Sequence, residues 1–243
     1  MFTQIGSSPQ TSVRLAIKDR LRYPIPALPE LPLLGDSMVD DIGQSRKPAG
    51  LQKFKENEFS RAKIQCAGPV TLFRTGKYSL DDAVVAACEY IKVLLDGLCA
   101  DQIILFLDEP GLDKLPVELD YELAWSSIFD EFDVTSGIHT CGDANWERLF
   151  RSGVNIISLD ATRVNLPVLF PEYRKYGAVV AWGVQHMRDI RDFQKGDLLT
   201  YPCGMSPLAY KPIDCEIAFN KLNFLSQRLL YESNFVRYNA HAI

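Results

Sequence analysis

The chain has 243 residues, 47% of them hydrophobic and 23% charged, which is enough to bury a sizeable core. Its formal net charge of −5 argues against the basic surface that nucleic-acid binding requires. No apolar run approaches the roughly 18 residues of a membrane span. Met1–Gly6 lacks the charged-then-apolar order of a secretion leader, so the expectation is a cytoplasmic protein with no membrane attachment.

In chain order, short apolar runs alternate with longer amphipathic stretches. Two strands are expected first, at Thr3–Gly6 and at Ile25–Leu31. The second of these is crowded with Pro24, Pro26, Pro29 and Pro32. The polar stretch Gln44–Glu58 reads as a loop followed by a helix. Lys63–Cys66 is the next strand, rich in the residue types that pleated structure favours. Ser79–Leu98 places Ala83, Ala86, Ala87, Tyr90, Ile91, Leu94 and Leu95 at helical spacing. Ser79 is its N-cap, with Asp81 and Asp82 in the first turn. Strand Ile103–Leu107, helix Val117–Phe132, strand Gly137–His139 and helix Asn145–Arg151 follow. Strands Asn155–Leu159, Ala178–Trp182 and Leu198–Tyr201 come next, and a helix over Cys215–Tyr231 closes the pattern. Alternation of this kind predicts an α/β protein with a parallel sheet. Eight strands predict a (β/α)8 TIM barrel, with residues 1–243 as one catalytic domain.

In such a barrel the C-terminal strand ends share one mouth, where active sites are built. Ser7, Asp108, Glu109, His139, Cys141, Asp160, Gln185, His186 and Cys203 all fall at or just beyond those ends. His139 and Cys141, two residues apart, leave the same face of a strand and can reach one ion. Cys203 adds a second thiolate and Asp160 an oxygen. Such N, S and O donors suit Zn²⁺ and not Mg²⁺ or Ca²⁺. The alternative is a buried cysteine beside a hydrogen-bonded core histidine.

Of the six cysteines (Cys66, Cys88, Cys99, Cys141, Cys203 and Cys215), roughly three or four are expected to be plain core thiols. Asp108, after a buried apolar run, must be hydrogen-bonded, paired or functional; a helix N-cap is the other option. His186 is read as a loop histidine or a general acid. Cys66–Thr71 is read as a cradle of backbone N–H groups or a tight turn before a helix. Trp182 is read as core or as a stacking surface for a ligand.

Taken together these residues resemble the C-terminal catalytic half of cobalamin-independent methionine synthase. That superfamily also includes uroporphyrinogen decarboxylase and corrinoid-linked coenzyme M methyltransferases. Ile5-Gly6-Ser7-Ser8-Pro9-Gln10-Thr11 is similar to the family's Ile-Gly-Ser-Phe-Pro-Gln-Thr. Gly68-Pro69-Val70-Thr71 resembles its Gly-Pro-Val-Thr turn, and Asp108-Glu109-Pro110 its Asp-Glu-Pro motif. Ile138-His139-Thr140-Cys141 and Tyr201-Pro202-Cys203-Gly204 resemble its zinc motifs, and all five occur in family order.

The resemblance implies Zn²⁺ held by His139, Cys141 and Cys203, with Asp160 standing where the family has a glutamate. It implies that Ile5, Gly6, Ser7 and Asp108 bind an amino-acid thiol, homocysteine. A further family glutamate on the substrate ammonium would have Glu30 or Asp36 as its substitute. His186 stands near the position of the family's proton donor. Lys114 stands where the family has an acidic folate contact, and the family's N-terminal half has no counterpart. The implied activity is methyl transfer to a zinc-bound thiol to give methionine. Short loops leave the mouth open to a bulky donor, a methylated corrinoid protein or methylcobalamin. Alkyl transfer to another thiol such as coenzyme M is an alternative, and so is a non-catalytic zinc- or corrinoid-binding accessory protein.

Overall fold

A computed structural model describes residues 1–112 and 119–240. Its centre is a six-stranded, all-parallel sheet: β2 (Ala62–Ala67), β4 (Ile103–Asp108), β5 (Thr135–Thr140), β6 (Ile156–Asp160), β7 (Val179–Gly183) and β8 (Leu198–Thr200). The strands pair in chain order, and the sheet curls into a TIM-barrel-like half-barrel. A short parallel pair, β1 (Glu58–Phe59) and β3 (Cys99–Ala100), lies ahead of β2 and β4. Each of the six strands falls on an expected apolar run.

The eight-stranded closed barrel does not form. Thr3–Gly6 and Ile25–Leu31 are extended segments joined to their neighbours by isolated parallel bridges, Phe2 to Leu199, Ser7 to Glu30 and Ala27 to Lys63. The physical reason is visible in the second segment. Prolines 24, 26, 29 and 32 carry no N–H, so a continuous ladder is out of reach. In the first segment Gly6, at φ +50, turns the chain away after Ile5. Both segments nonetheless hold station between β8 and β2. Thr3 N donates to Leu199 O at 3.0 Å, Ser8 N to Glu30 O at 2.8 Å and Lys63 N to Pro26 O at 2.8 Å.

Both faces of the sheet are buried, so its strands read as near-continuous apolar runs. Alternation along each strand sorts the faces. Leu105, Leu107, Ile138, Ile157, Leu159, Val180 and Trp182 face outward into the large core shared with the helices. Ile104, Phe106, Ile156, Ala181 and Leu198 face inward, with Ile5 and Ile25 from the N-terminal segments. Gly137 is required on that inner face because a Cβ there would lie 2.3 Å from the Phe106 ring.

The helices are α1 (Val13–Arg20), α2 (Asp40–Gln44), α3 (Leu51–Lys55), α4 (Pro69–Arg74), α5 (Leu80–Leu95), α6 (Tyr121–Phe129), α7 (Trp146–Arg151), α8 (Phe170–Tyr173) and α9 (Pro212–Ala240). Ser79 caps α5 as expected, accepting from Asp82 N at 3.1 Å, and Asn145 caps α7 through Arg148 N at 3.1 Å. The expected helix Val117–Phe132 begins outside the described residues; its described part is α6. Lys114 is likewise outside them. No helix among the described residues is long and apolar enough to cross a membrane. Cys66, Cys88 and Cys215 are buried thiols.

Candidate metal centre

The sheet register brings the strand ends into one row. Asp108 pairs laterally with His139 and His139 with Ser158, so all three stand on the inner face at the same height. Cys141 follows His139 by two residues and keeps that face. Cys203 arrives from the loop after β8. A Cβ on Gly204 would lie 2.8 Å from Ser7 N, and Met205 N donates to Ser7 O at 2.8 Å. The loop can therefore press against Gly6 and Ser7 only because residue 204 is glycine.

One donor atom each from His139, Cys141 and Cys203 lies within 4.8 Å of the others. His139 is 3% exposed. Its Nδ1 stands 3.0 Å from Ser158 Oγ, whereas its Nε2 is buried and has no hydrogen-bond partner among the described residues. A buried polar atom without a partner is costly, and a cation beside two cysteines would satisfy it. The two thiols are unequal. Cys203 and, secondly, His139 hold the Cys141 thiol well below the ordinary range, and the hydrogen bond to Cys141 pushes Cys203 up. Within this pair Cys141 is the more acidic thiol and Cys203 the less acidic one. This set could hold a soft divalent metal such as zinc.

Asp160 is not brought into this group. It is buried at the end of β6, and its Oδ1 accepts from Thr162 N at 3.0 Å and Thr162 Oγ1 at 2.6 Å, which fixes the following turn. His186 is exposed. It precedes the 3₁₀ turn Met187–Asp189, and Asp189 accepts from its backbone N.

Beside the cysteines lies a compact acidic subsite. Ser7 Oγ donates to Glu30 Oε2 at 2.5 Å, and Met38 N donates to Glu30 Oε1 at 2.9 Å. Burial raises the Glu30 pKa, the two hydrogen bonds lower it, and Asp108 raises it further. Asp36, the other candidate, is committed elsewhere, accepting from Leu31 N and Ala49 N at 2.8 Å each. Asp108 accepts from Gln65 Nε2 at 2.5 and 2.6 Å. Burial raises its pKa, while His139, Lys63 and Gln65 pull it back.

Two ambiguous motifs resolve as structure. The N–H groups of Val70 and Thr71, at the start of α4, donate to Glu109 at 3.1 and 2.7 Å. Trp125 Nε1 adds a third bond at 3.0 Å. Gly68 leaves the room, since a Cβ there would meet Glu109 Oε1 at 2.2 Å. Trp182 is fully buried core and donates to Asp197 Oδ2 at 2.8 Å.

Sequence reasoning missed Ser158, Gln65 and Lys63. Lys63 carried a signal, a lysine at an inward position of a buried strand. Ser158 is recognisable only from the β5–β6 register. A cleft of about 650 Å³ opens beside Cys141 and Gly142, with Arg74 and Arg163 in its wall.

An α/β half-barrel with a His/Cys/Cys cluster at its strand ends defines the class of protein. No family model and no curated protein matches the chain. Among solved structures, a B12-independent methionine synthase from Shewanella sp. W3-18-1, in complex with selenomethionine, shares its fold. That structure has 19% sequence identity and a TM-score of 0.54, over 85% of this chain and 68% of the other.

Proposed function

We propose that the protein is a zinc-dependent thiol S-methyltransferase that converts homocysteine to methionine. The observation that carries this reading is the convergence of His139, Cys141 and Cys203, with the orphaned Nε2 of His139, beside the Ser7–Glu30 and Asp108 subsite. Zinc, when bound, would acidify the substrate thiol and hold its sulfur. His139, Cys141 and Cys203 are its ligands in this reading, and Asp160 stays with Thr162 as a turn residue. Glu30 and Asp108 attract the substrate ammonium, and charge-assisted hydrogen bonds fix its orientation. Holding the amino-acid end in place sets the sulfur for in-line attack on the donor methyl group. The sulfur–methyl bond forms as the methyl–donor bond breaks, the leaving group keeps the bonding pair, and the thiol proton is released to water. The likeness in fold to a B12-independent methionine synthase is consistent with this chemistry.

The donor in this proposal is a methylated corrinoid protein or methylcobalamin, admitted at the mouth near the cleft. His186, exposed in the β7–β8 loop, is placed to serve proton transfer only if that loop closes over the mouth. The arginines of the cleft favour one alternative acceptor, a thiol bearing a strong acid such as coenzyme M, whose sulfonate Arg74 or Arg163 would meet.

The test combines metal analysis with an assay of methyl transfer. The expected result is about one zinc per chain, lost in Cys203→Ser, with methionine formed from homocysteine and a methylcorrinoid. Zinc-replete protein that methylates neither homocysteine nor coenzyme M would reject the proposal.

A further inference from the structure

Lys63 has no exposed surface and lies on the inner face of β2 among Ile5, Ile25, Ile104 and Phe106. Burying an amine among such side chains is costly unless its protons are placed. They are. Nζ donates to Gln4 O at 2.9 Å and to Gln65 Oε1, and it stands 4.4 Å from the centre of the Phe106 ring. No carboxylate is among these contacts.

The effect of Lys63 passes through Gln65. Gln65 Oε1 receives Lys63 Nζ and also Gly6 N, the latter at 3.2 Å. Gly6 N is a donor in every state, and Lys63 as an ammonium is a donor only, so the amide oxygen must face them. The amide nitrogen is then obliged to face the two oxygens of Asp108. Burial lowers the lysine pKa to about 7. Its neutral form keeps two N–H bonds, sufficient for Gln4 O and Gln65 Oε1, so the orientation holds in either state. Gln4 to Ser7 is the segment that frames the substrate subsite, and Arg20 Nη2 donates to Gly6 O at 3.1 Å from its other side.

We propose that Lys63 is the positioning residue of the amino-acid subsite: through Gln65 it fixes the Asp108 carboxylate and the Gly6–Ser7 turn together. This rests on the amino-acid-thiol reading given above. Lys63 touches no substrate atom. It sets the angle between the carboxylate and the backbone that a substrate ammonium meets, and so governs the choice between a thiol that carries an α-amine and one that lacks it.

The test measures binding of two thiols to the zinc-loaded protein by calorimetry. Homocysteine carries the amine, and 4-mercaptobutyrate is the same molecule without it. Wild-type protein should bind homocysteine at least about 10-fold more tightly, the scale of a hydrogen bond to a charged group. Lys63→Met should lose about that factor for homocysteine and none for 4-mercaptobutyrate. Gln65→Met should behave alike, and it covers the case in which Lys63→Met fails to fold because it leaves the bond from Lys63 to Gln4 intact. Lys63→Arg should restore most of the selectivity. Undiminished selectivity in Lys63→Met or Gln65→Met, or equal loss of both thiols, overturns the role of Lys63 alone. Wild-type protein that does not distinguish the two thiols removes the amino-acid subsite itself, and with it both proposals.

Discussion

Ser158 Oγ stands 3.0 Å from His139 Nδ1 across the β5–β6 register, and Nε2 is the imidazole nitrogen left without a hydrogen bond among the described residues. A histidine held at one nitrogen presents the other to a metal in a fixed orientation. At the proposed zinc site, Ser158→Ala should therefore weaken zinc binding about 10- to 100-fold, the range for lost outer hydrogen bonds. Competition with a chromophoric chelator measures this, and the fold should be unaffected. Unaltered zinc affinity would show that Ser158 does not orient the ring.

Glu109 predicts a pH dependence of stability. It is completely buried, and burial outweighs four donor contacts to raise its pKa from 4.5 to about 7. The folded protein then binds the proton more tightly than the unfolded chain. Its stabilising contribution is complete below about pH 4.5 and declines as the pH rises toward 7. Over that interval the protein should lose on the order of 2–3 kcal/mol. Glu109→Gln keeps the shape without the titration. Urea unfolding at pH 5 and pH 8 should show a smaller difference for the variant than for the wild type; equal differences would mean that Glu109 does not titrate in this range.

Much of this arrangement is legible in local sequence, and the exceptions have physical causes. The six central strands are doubly buried, so each announces itself as an apolar run, and Ser79 and Asn145 announce helix starts through short-range hydrogen bonds. The prolines of Ile25–Leu31 were equally visible, but whether extended chain becomes a ladder depends on N–H groups that proline lacks. His139, Cys141 and Cys203 could be found because strand ends in a parallel sheet converge. Asp160 sits at such an end too. Its carboxylate turns to Thr162, two residues on, and the sequence shows that neighbour without showing which contact wins. Gln65, Lys63 and Ser158 act through pairings between strands, which no local pattern reveals. Glu30 and Asp36 look alike in sequence. Only the three-dimensional course of the N-terminal segment puts Glu30 on Ser7.

Gly68 should tolerate no side chain. A Cβ would fall 2.2 Å from Glu109 Oε1 and 2.4 Å from its Cδ, and Glu109 is fixed by Val70, Thr71 and Trp125. Relief requires either the carboxylate or the start of α4 to move, which breaks hydrogen bonds buried away from water. Gly68→Ala should cost about 1–3 kcal/mol, the scale of overpacking in a dense core. The same change at Gly76, where nothing lies within 4 Å of the new Cβ but φ is +73, isolates backbone strain as the comparison. Unfolding midpoints for the two variants check this. A neutral Gly68→Ala would mean that the Glu109 pocket is looser than its hydrogen bonds imply.

Asp197, at the N-terminal approach to β8, provides the sharpest separation between fold and site. Its carboxylate is 3% exposed and receives Arg174 Nη2 at 2.6 Å, Trp182 Nε1 at 2.8 Å, Gln194 N at 2.9 Å and Val180 N at 3.0 Å. It ties β7, β8 and the residues after α8 together at the end of the sheet opposite the cysteines. Asp197→Ala strips these donors at once and leaves the guanidinium of Arg174 buried without its main countercharge. The cost should be about 3–5 kcal/mol, typical of breaking a buried pair from one side. Removing Arg174 as well, as Arg174→Met with Asp197→Ala, should cost less than the sum of the single changes, because the orphaned charge is gone. Denaturant unfolding of the two single variants and the double variant reads the coupling. If zinc binds as proposed, folded Asp197→Ala protein should match the wild type in zinc affinity, since His139, Cys141 and Cys203 sit at the other end of their strands. If zinc affinity fell in step with stability, the two ends of the sheet would be coupled, and the metal centre would depend on more of the fold than its own three side chains and Ser158.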